Sequence, residues 1–182
     1  MRSYATISQL SDRLRQEISE DDEPSAQFAL DAATAAIDSY LGQSLWAEAG
    51  AIYYINSTGV DSLVLPAMPV TINTITVDGT ELVEDEDYTY DPDRGLVFGL
   101  SYNFGVVGDK RNIEVDCDTG FDEIPVAVQS VCLSLAARIY SNSTNMRSES
   151  IAGYSVTYAE VSHGLITAEM AMLNQWKIAD LA

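Results

Sequence analysis

Apolar residues near the start of the chain recur every three or four positions, which is the spacing of an amphipathic helix. Thr6 and Gln9 fit a capping box at the beginning of this helix, because each side chain can bond the backbone of the other residue. The apolar stripe consists of Ile7, Leu10, Leu14 and Ile18.

A second, alanine-rich helix is predicted from Ser25 to Leu41. Pro24 suits its first turn, and Gly42 suits the position after its end because glycine adopts the left-handed conformation readily. We expect its apolar face to consist of Phe28, Ala32, Ala36, Ile37, Tyr40 and Leu41, opposite Gln27, Asp31, Thr34 and Asp38.

The middle of the chain alternates apolar and polar residues, which predicts antiparallel strands with one wet face. The alternation changes phase near Asn73, where we expect a bulge, and Asp78-Gly79 predicts a tight hairpin turn. Residues 91–95 predict a second turn. Strands are predicted at 51–56, 63–65, 70–77, 81–83, 96–98 and 113–117.

Helical spacing returns after Pro125, in a segment through Tyr140 whose single charged residue is Arg138. This pattern predicts a deeply buried helix. A polar loop is expected from Ser141 to Ser150, then a short extended segment with Tyr154, Val156 and Tyr158 alternating. A final helix is predicted from Thr167 to the C-terminus.

The charge balance narrows the classes of function. The 182 residues include 28 acidic and 9 basic side chains, for a net charge of −19, and 47% are hydrophobic. This composition is that of a folded, acidic protein, with too few cations to bind phosphates or an acidic membrane. No apolar run reaches the roughly 20 residues of a membrane span, and we expect no signal peptide. Cys117 and Cys132 lack CxxC spacing, so we expect two buried thiols in a reducing compartment rather than a disulfide.

Residue patterns that carry chemistry are scarce, so we predict no enzyme activity and no catalytic, cofactor-binding or metal site. His163 is the single histidine, and no GxSxG nucleophile motif accompanies it. Neither the acidic run Glu84 to Asp87 nor the carboxylates between Asp116 and Glu123 have the spacing of an EF-hand. Both are interpreted as solvated acidic segments.

The order of motifs along the chain resembles the head–tail connector, or adaptor, proteins of tailed bacteriophages of the HK97 type. Each motif is short, and the resemblance rests on their order over nearly the whole chain. The motifs are IDSYLG at 37–42, LVLPAMPV at 63–70, ITVDGT at 75–80, DYTYD at 87–91, IEVD at 113–116, SESIAGYSVTY at 148–158 and GLITAE at 164–169.

The resemblance implies an α+β fold, in which a helical bundle of two N-terminal helices, one buried central helix and one C-terminal helix carries an inserted antiparallel β module. The helix–sheet–helix order read from the residues agrees with this. We expect the N-terminal helices at 1–48, the β module at 49–120, and the buried helix, extended segment and C-terminal docking helix at 121–182, as one compact domain with an insertion.

The resemblance also implies a structural role in the virion neck, after assembly in the host cytoplasm. Such proteins form a usually twelvefold homo-oligomeric ring below the portal protein, extend the DNA channel, and provide a platform for the stopper or tail-completion protein. DNA then passes through the ring without specific binding.

Two groups of residues become candidate contact sites under this resemblance. Met170, Leu173 and Trp176 are expected near the portal, since the C-terminal segment of relatives docks there. Glu84, Asp85, Glu86 and Asp87 are candidates for a channel-facing or inter-subunit acidic loop, because an acidic wall repels DNA and lets it slide.

Ring formation requires two different faces to meet, and the helix from Ser25 to Leu41 and the loop from Ser141 to Ser150 are candidates. Three alternative functions stay open: another neck or tail-completion protein, an acidic DNA-mimic inhibitor, and an enzyme with a dispersed carboxylate site.

Overall fold

The computed structural model describes residues 2–57, 59–100, 103–105, 110–141, 148–151, 154–157 and 164–178, with residues 148–151 and 154–157 described as backbone. The chain divides into two compact units. The helical unit comprises Met1–Tyr40 and Ile124–Gln175, and the β unit comprises Leu41–Glu123 and Trp176–Ala182.

The helices are α1 (Ile7–Leu14), α2 (Glu23–Leu41), α3 (Val126–Ser141) and α4 (Thr167–Leu173), and α4 continues into a single 3₁₀ turn at Asn174–Trp176. The predicted capping box is confirmed: the Gln9 backbone N–H donates to the Thr6 hydroxyl, and the Thr6 backbone N–H donates to the Gln9 side chain. Gly42 has φ +77° directly after α2, as expected for a residue that ends a helix.

The predicted face of α2 is wrong by about one residue. Phe28 is 69% exposed, whereas Thr34, expected outside, is buried. Thr34 turns inward because its hydroxyl accepts a hydrogen bond from the Tyr4 backbone N–H and lies 3.7 Å from the Cys132 sulfur. The buried residues of α2 are Ala26, Ala29, Leu30, Ala33, Thr34, Ile37 and Leu41.

The final helix is shorter than predicted. It ends at Leu173, and neither Lys177 nor Ile178 is helical. The chain leaves the helix because its backbone groups find other partners: the Ile178 N–H donates to the Leu41 carbonyl, and Gln43 donates to the Trp176 carbonyl. The predicted polar loop is also too long, since its last three residues belong to a strand that begins at Ser148.

Within the described residues, the strands form three antiparallel sheets. A four-stranded sheet has the order β1-β7-β3-β4, a three-stranded sheet has the order β2-β6-β5, and β8 pairs with β9 as a hairpin in the helical unit. The strands are β1 (Glu48–Ile55), β2 (Ser62–Val64), β3 (Val70–Val77), β4 (Thr80–Leu82), β5 (Tyr88–Asp91), β6 (Leu96–Gly99), β7 (Ile113–Thr119), β8 (Ser148–Ile151) and β9 (Tyr154–Thr157).

The turn and bulge predictions are confirmed. Asp78 and Gly79 both have positive φ, at 50° and 80°, and connect β3 to β4 as a two-residue turn. The register of β3 against β7 shifts between Ile72 and Thr74, which makes Asn73 the bulged residue. On β7, the apolar residues at 113, 115 and 117 are buried, and the acidic residues between them lie on the outer side.

The inner faces of the two larger sheets contribute to one apolar core, and this arrangement confirms an α+β fold with an inserted β module. The chain enters and leaves the module at paired segments, since the Ala47 N–H donates to the Phe121 carbonyl and the Phe121 N–H donates to the Leu45 carbonyl. The core consists of Leu63, Leu65, Val70, Ile72, Ile75, Val77, Leu82, Tyr88, Val97, Phe104, Ile113, Val115 and Cys117.

Candidate functional site

The C-terminal segment of the helical unit is held by a partly buried ion pair. The Arg138 guanidinium donates from Nη1 to Glu169 Oε1 at 2.7 Å and from Nη2 to Glu169 Oε2 at 2.8 Å. Nη2 also donates to the Gly164 carbonyl at 3.2 Å. Arg138 is on α3 and Glu169 on α4, so this two-point contact fixes the position and rotation of α4 against α3.

Glu169 also caps its own helix, because its carboxylate accepts from the Ile166 N–H at 3.1 Å. Burial raises the pKa of this carboxyl, but the hydrogen bonds from Arg138 and Ile166 and the Arg138 charge outweigh burial and hold the pKa below its ordinary value. Glu169 is therefore charged at neutral pH.

Two of the predicted portal-docking residues belong to α4. Leu173 is fully buried, and Met170 is half-buried. The large apolar side chains that this segment exposes are Ile166 and Met172, neither of which is among the predicted docking residues. Glu169 sets this orientation by facing inward, and an acidic residue in a helix ordinarily predicts an outward face.

Trp176, the third predicted docking residue, belongs to the β unit and is half-buried there. Its indole ring packs edge-to-face on Phe121, with ring centroids 6.5 Å apart. Its carbonyl accepts from the Gln43 side chain at 2.7 Å. Trp176 therefore anchors the chain within its own unit, and portal docking by Met170, Leu173 and Trp176 stays a prediction.

The acidic run at 84–87 forms the turn between β4 and β5. The Val83 N–H donates to the Asp87 carboxylate at 2.9 Å, and the Asp87 N–H donates back to the Val83 carbonyl at 2.8 Å. Asp87 is therefore a turn-forming residue, whereas Glu84, Asp85 and Glu86 project into solvent. Their assignment to a channel or a subunit contact also stays a prediction.

The acidic turn at 84–87 affects the pKa of Tyr88, the residue that follows it. Burial first, and then the negative charge of Glu84, raise the pKa of Tyr88 to about 12. The turn is therefore close enough to the buried Tyr88 side chain for the Glu84 charge to affect its pKa.

The cysteines, the possible metal ligands and the histidine each bear on whether the chain carries chemistry. Both cysteines are free and buried, and burial is the main cause that raises the pKa of Cys117 and of Cys132 to about 11, so both are neutral thiols at pH 7. No three potential metal ligands come together among the residues that the structure describes. His163 lies outside those residues. Among the described helices, none is long and apolar enough to cross a bilayer.

Comparison with solved structures identifies the fold. The chain is similar to a chain from the neck of an empty gene transfer agent particle, computed with C6 symmetry, with a TM-score of 0.57 and 21% identity, covering 98% of this chain and 92% of that chain. A chain from the neck of the native particle, computed with C12 symmetry, gives a TM-score of 0.50 at 18% identity, covering 97% and 90%.

A chain from the virion of the native gene transfer agent gives a TM-score of 0.51 at 19% identity and covers 98% of this chain and 92% of that chain. No protein-family model and no curated protein matches the sequence. At these identities the likeness concerns the fold, and it supports the resemblance to head–tail connectors at that level. The chain shares a fold, over nearly its full length, with chains of gene transfer agent necks and virions.

Proposed function

We propose that this protein is a structural component of the neck of a tailed phage or phage-like particle, where it acts as a head–tail adaptor. The observation that carries this proposal is the likeness to neck chains, which spans both compact units and leaves few residues of either chain outside the match. The motif order in the sequence points to the same class independently.

As an adaptor, the protein forms a homo-oligomeric ring below the portal, twelvefold in the mature neck, and presents a platform to the stopper or tail-completion protein. The neighbours come from necks computed with C6 and C12 symmetry, which supports a ring. The protein has no enzymatic role in this proposal and resides in the virion after assembly in the host cytoplasm.

The net charge of −19 suits a protein close to moving DNA. Cationic side chains would bind phosphates and hold the DNA through counterion release, whereas carboxylates repel it and keep the channel open. DNA therefore passes through the ring without specific contacts.

The portal contact is assigned to the C-terminal segment. Met170 is half-buried, and Met172 beside it offers an exposed apolar side chain. Leu173 is buried in the helical unit, and Trp176 packs on Phe121 within the β unit, so Met172 is the residue that we test first.

The test is electron microscopy of the purified protein mixed with the portal protein of the same particle, with each component imaged alone. We expect added ring density under the portal with matching symmetry. Met172→Glu should abolish this density, whereas Ala171→Glu, on the neighbouring exposed residue, should retain it. A correctly folded portal that gains no density at high protein concentration would overturn the adaptor role. Added density that survives Met172→Glu would move the contact elsewhere on the chain.

A further inference from the structure

The outer face of the three-stranded sheet is unusually apolar. Leu63 and Val97 point inward to the core, so the alternate residues on β2 and β6 point outward. Ser62 lies opposite Phe98, and the Gly99 N–H donates to the Asp61 carbonyl at 2.7 Å, so Val60 and Leu100 continue the pairing as neighbours. The outer face therefore brings together Val60, Val64, Leu96, Phe98 and Leu100.

Three of these side chains are open to solvent. Phe98 is 42% exposed, and Val60 and Leu100 are each 51% exposed. We call these three residues the apolar patch. A solvated outer face of an antiparallel sheet ordinarily carries polar side chains, and a contiguous exposed apolar group is typical of a protein–protein contact.

An acidic turn borders the apolar patch. The Leu100 N–H donates to the Asp87 carbonyl at 2.9 Å, which places the acidic turn at 84–87 beside Leu100. Exposed apolar side chains beside carboxylates are complementary to a segment that carries apolar and cationic side chains.

We propose that the apolar patch binds a positively charged, extended segment of another protein, with apolar side chains on Phe98 and Leu100 and lysine or arginine side chains against Glu84 and Glu86. We favour a different protein over a second copy of this chain as the occupant, because this chain has few cationic side chains to offer: 9 of its 182 residues are basic, against 28 acidic ones. DNA does not bind this surface, because the carboxylates of the acidic turn repel its phosphates. In this proposal the acidic turn at 84–87 faces a protein partner.

This assignment is independent of the portal contact and of the proposed role in a neck. It needs only the geometry of β2, β6 and the acidic turn. The two proposals also name different residues, since the proposed portal contact is on the C-terminal segment and the apolar patch is on the three-stranded sheet.

The test uses the full chain, labelled for NMR, and a synthetic seven-residue peptide with lysine at odd positions and leucine, phenylalanine and leucine at the even positions. A matched peptide with glutamate in place of lysine is the charge control. We expect the lysine peptide to shift the amide signals of Val60, Phe98 and Leu100, and the glutamate peptide to shift none of them.

Two double variants identify the contact. Phe98→Thr with Leu100→Thr should lower the affinity for the lysine peptide at least tenfold, because the apolar contact is lost while strand propensity is kept. Ile52→Thr with Tyr54→Thr removes two apolar side chains of similar exposure from the four-stranded sheet and should change the affinity less than twofold. Glu84→Lys with Glu86→Lys should also weaken binding and reduce its dependence on salt.

Several results would overturn the proposal. If the two apolar double variants weaken binding of the lysine peptide equally, or if neither weakens it, then net charge alone attracts the peptide. Equal binding of the glutamate peptide would remove the cationic partner. Sedimentation tests for self-association. If the protein self-associates and only the Phe98→Thr, Leu100→Thr variant does not, a second copy is the occupant of the apolar patch.

Discussion

Different interactions decide which side chains face inward in the two compact units. In the helical unit, polar groups face inward: Thr34 and Glu169 are buried, and Arg138 and Asp38 are partly so. In the β unit, the core cluster consists of apolar residues and the carboxylates of β7 lie on the outer side. The buried polar residues of this unit, Ser57 and Thr119, stand at or just beyond strand ends. Helices rich in alanine can rotate with little loss of apolar contact, so directed polar contacts set their rotation. A strand needs no such contacts, because a period of two assigns each side chain to a face.

This contrast predicts that the largest single loss of stability comes from the apolar core of the β unit. Ile75 is fully buried on the central part of β3. We expect Ile75→Ala to cost about 3 kcal/mol of unfolding free energy, from lost burial and the cavity that remains. Urea unfolding followed by tryptophan fluorescence measures it, because both tryptophans, Trp46 and Trp176, belong to the β unit.

Thr76→Ala is the control for this variant, since Thr76 is the next residue and faces outward. It should cost less than about 0.5 kcal/mol. Equal costs for the two variants would contradict the assignment of the inner face.

The second largest effect is expected at the ion pair of the helical unit. Arg138→Met leaves the Glu169 carboxylate buried without its charged partner. Because the Arg138 side chain is 24% exposed, we expect a cost of about 2 kcal/mol of unfolding free energy, measured by circular dichroism of the helices. Arg138→Met combined with Glu169→Leu should recover most of this loss, because no charge then stays buried.

A surface ion pair provides the matched control. Arg94 lies 3.8 Å from Asp91 with its side chain 76% exposed, so Arg94→Met should change stability by less than about 0.5 kcal/mol. A double variant as unstable as Arg138→Met alone would contradict a role for the buried charge.

The same ion pair predicts a pH dependence that the β-unit core lacks. The Glu169 pKa is lower in the folded state than its ordinary value of 4.5, so the folded state binds this proton less readily than the unfolded state. The contribution to stability is complete above the ordinary pKa and is lost as pH falls through the folded pKa.

Asp38 acts in the opposite direction, because burial raises its pKa despite the hydrogen bond from Tyr4, so protonation of Asp38 favours the folded state. We therefore expect acid destabilisation of the helical unit to be smaller in Arg138→Met and larger in Asp38→Asn than in the wild type. Unfolding curves from pH 7 to pH 3 test this. Identical pH profiles for Arg138→Met and the wild type would contradict the role of Glu169.

A smaller effect is expected at the start of α1. Thr6→Ala removes the oxygen that accepts from the Gln9 backbone N–H and should cost about 1 kcal/mol. Ser8→Ala, two residues further and exposed, should be neutral or slightly stabilising because alanine favours helices. A larger loss in Ser8→Ala than in Thr6→Ala would contradict the capping box.

The smallest effect on stability belongs to the apolar patch. Phe98→Thr with Leu100→Thr should change unfolding free energy by less than about 1 kcal/mol, since both side chains are on the outer face. The same urea experiment measures this. A cost as large as that of Ile75→Ala would make these residues part of the core and remove them from any docking surface.

The sequence predicted the β unit more closely than the helical unit, for a physical reason. The bulge at Asn73 and the turn at Asp78-Gly79 could be predicted because each follows from a local change of phase or a residue that tolerates positive φ. The face of α2 could not, because alanines lie on every side of that helix, and Thr34 faces inward through a bond to the distant Tyr4.

The candidate sites show the same limit. The exposed side chains of α4 depend on the rotation that Glu169 imposes through Arg138, which is far away in sequence. The apolar patch depends on the pairing of β2 with β6, more than 30 residues apart in the chain. Neither relation is encoded in a local pattern, so the sequence identified the segments but not their exposed residues.

The most direct test of the neck role is a cryo-electron microscopy reconstruction of the native particle whose genes include the one for this protein, with symmetry applied to the neck. We expect a ring of copies of this chain between portal and tail, fitted by both compact units. A neck that is complete without this chain, or the presence of this chain only in another part of the particle, would contradict the proposed function.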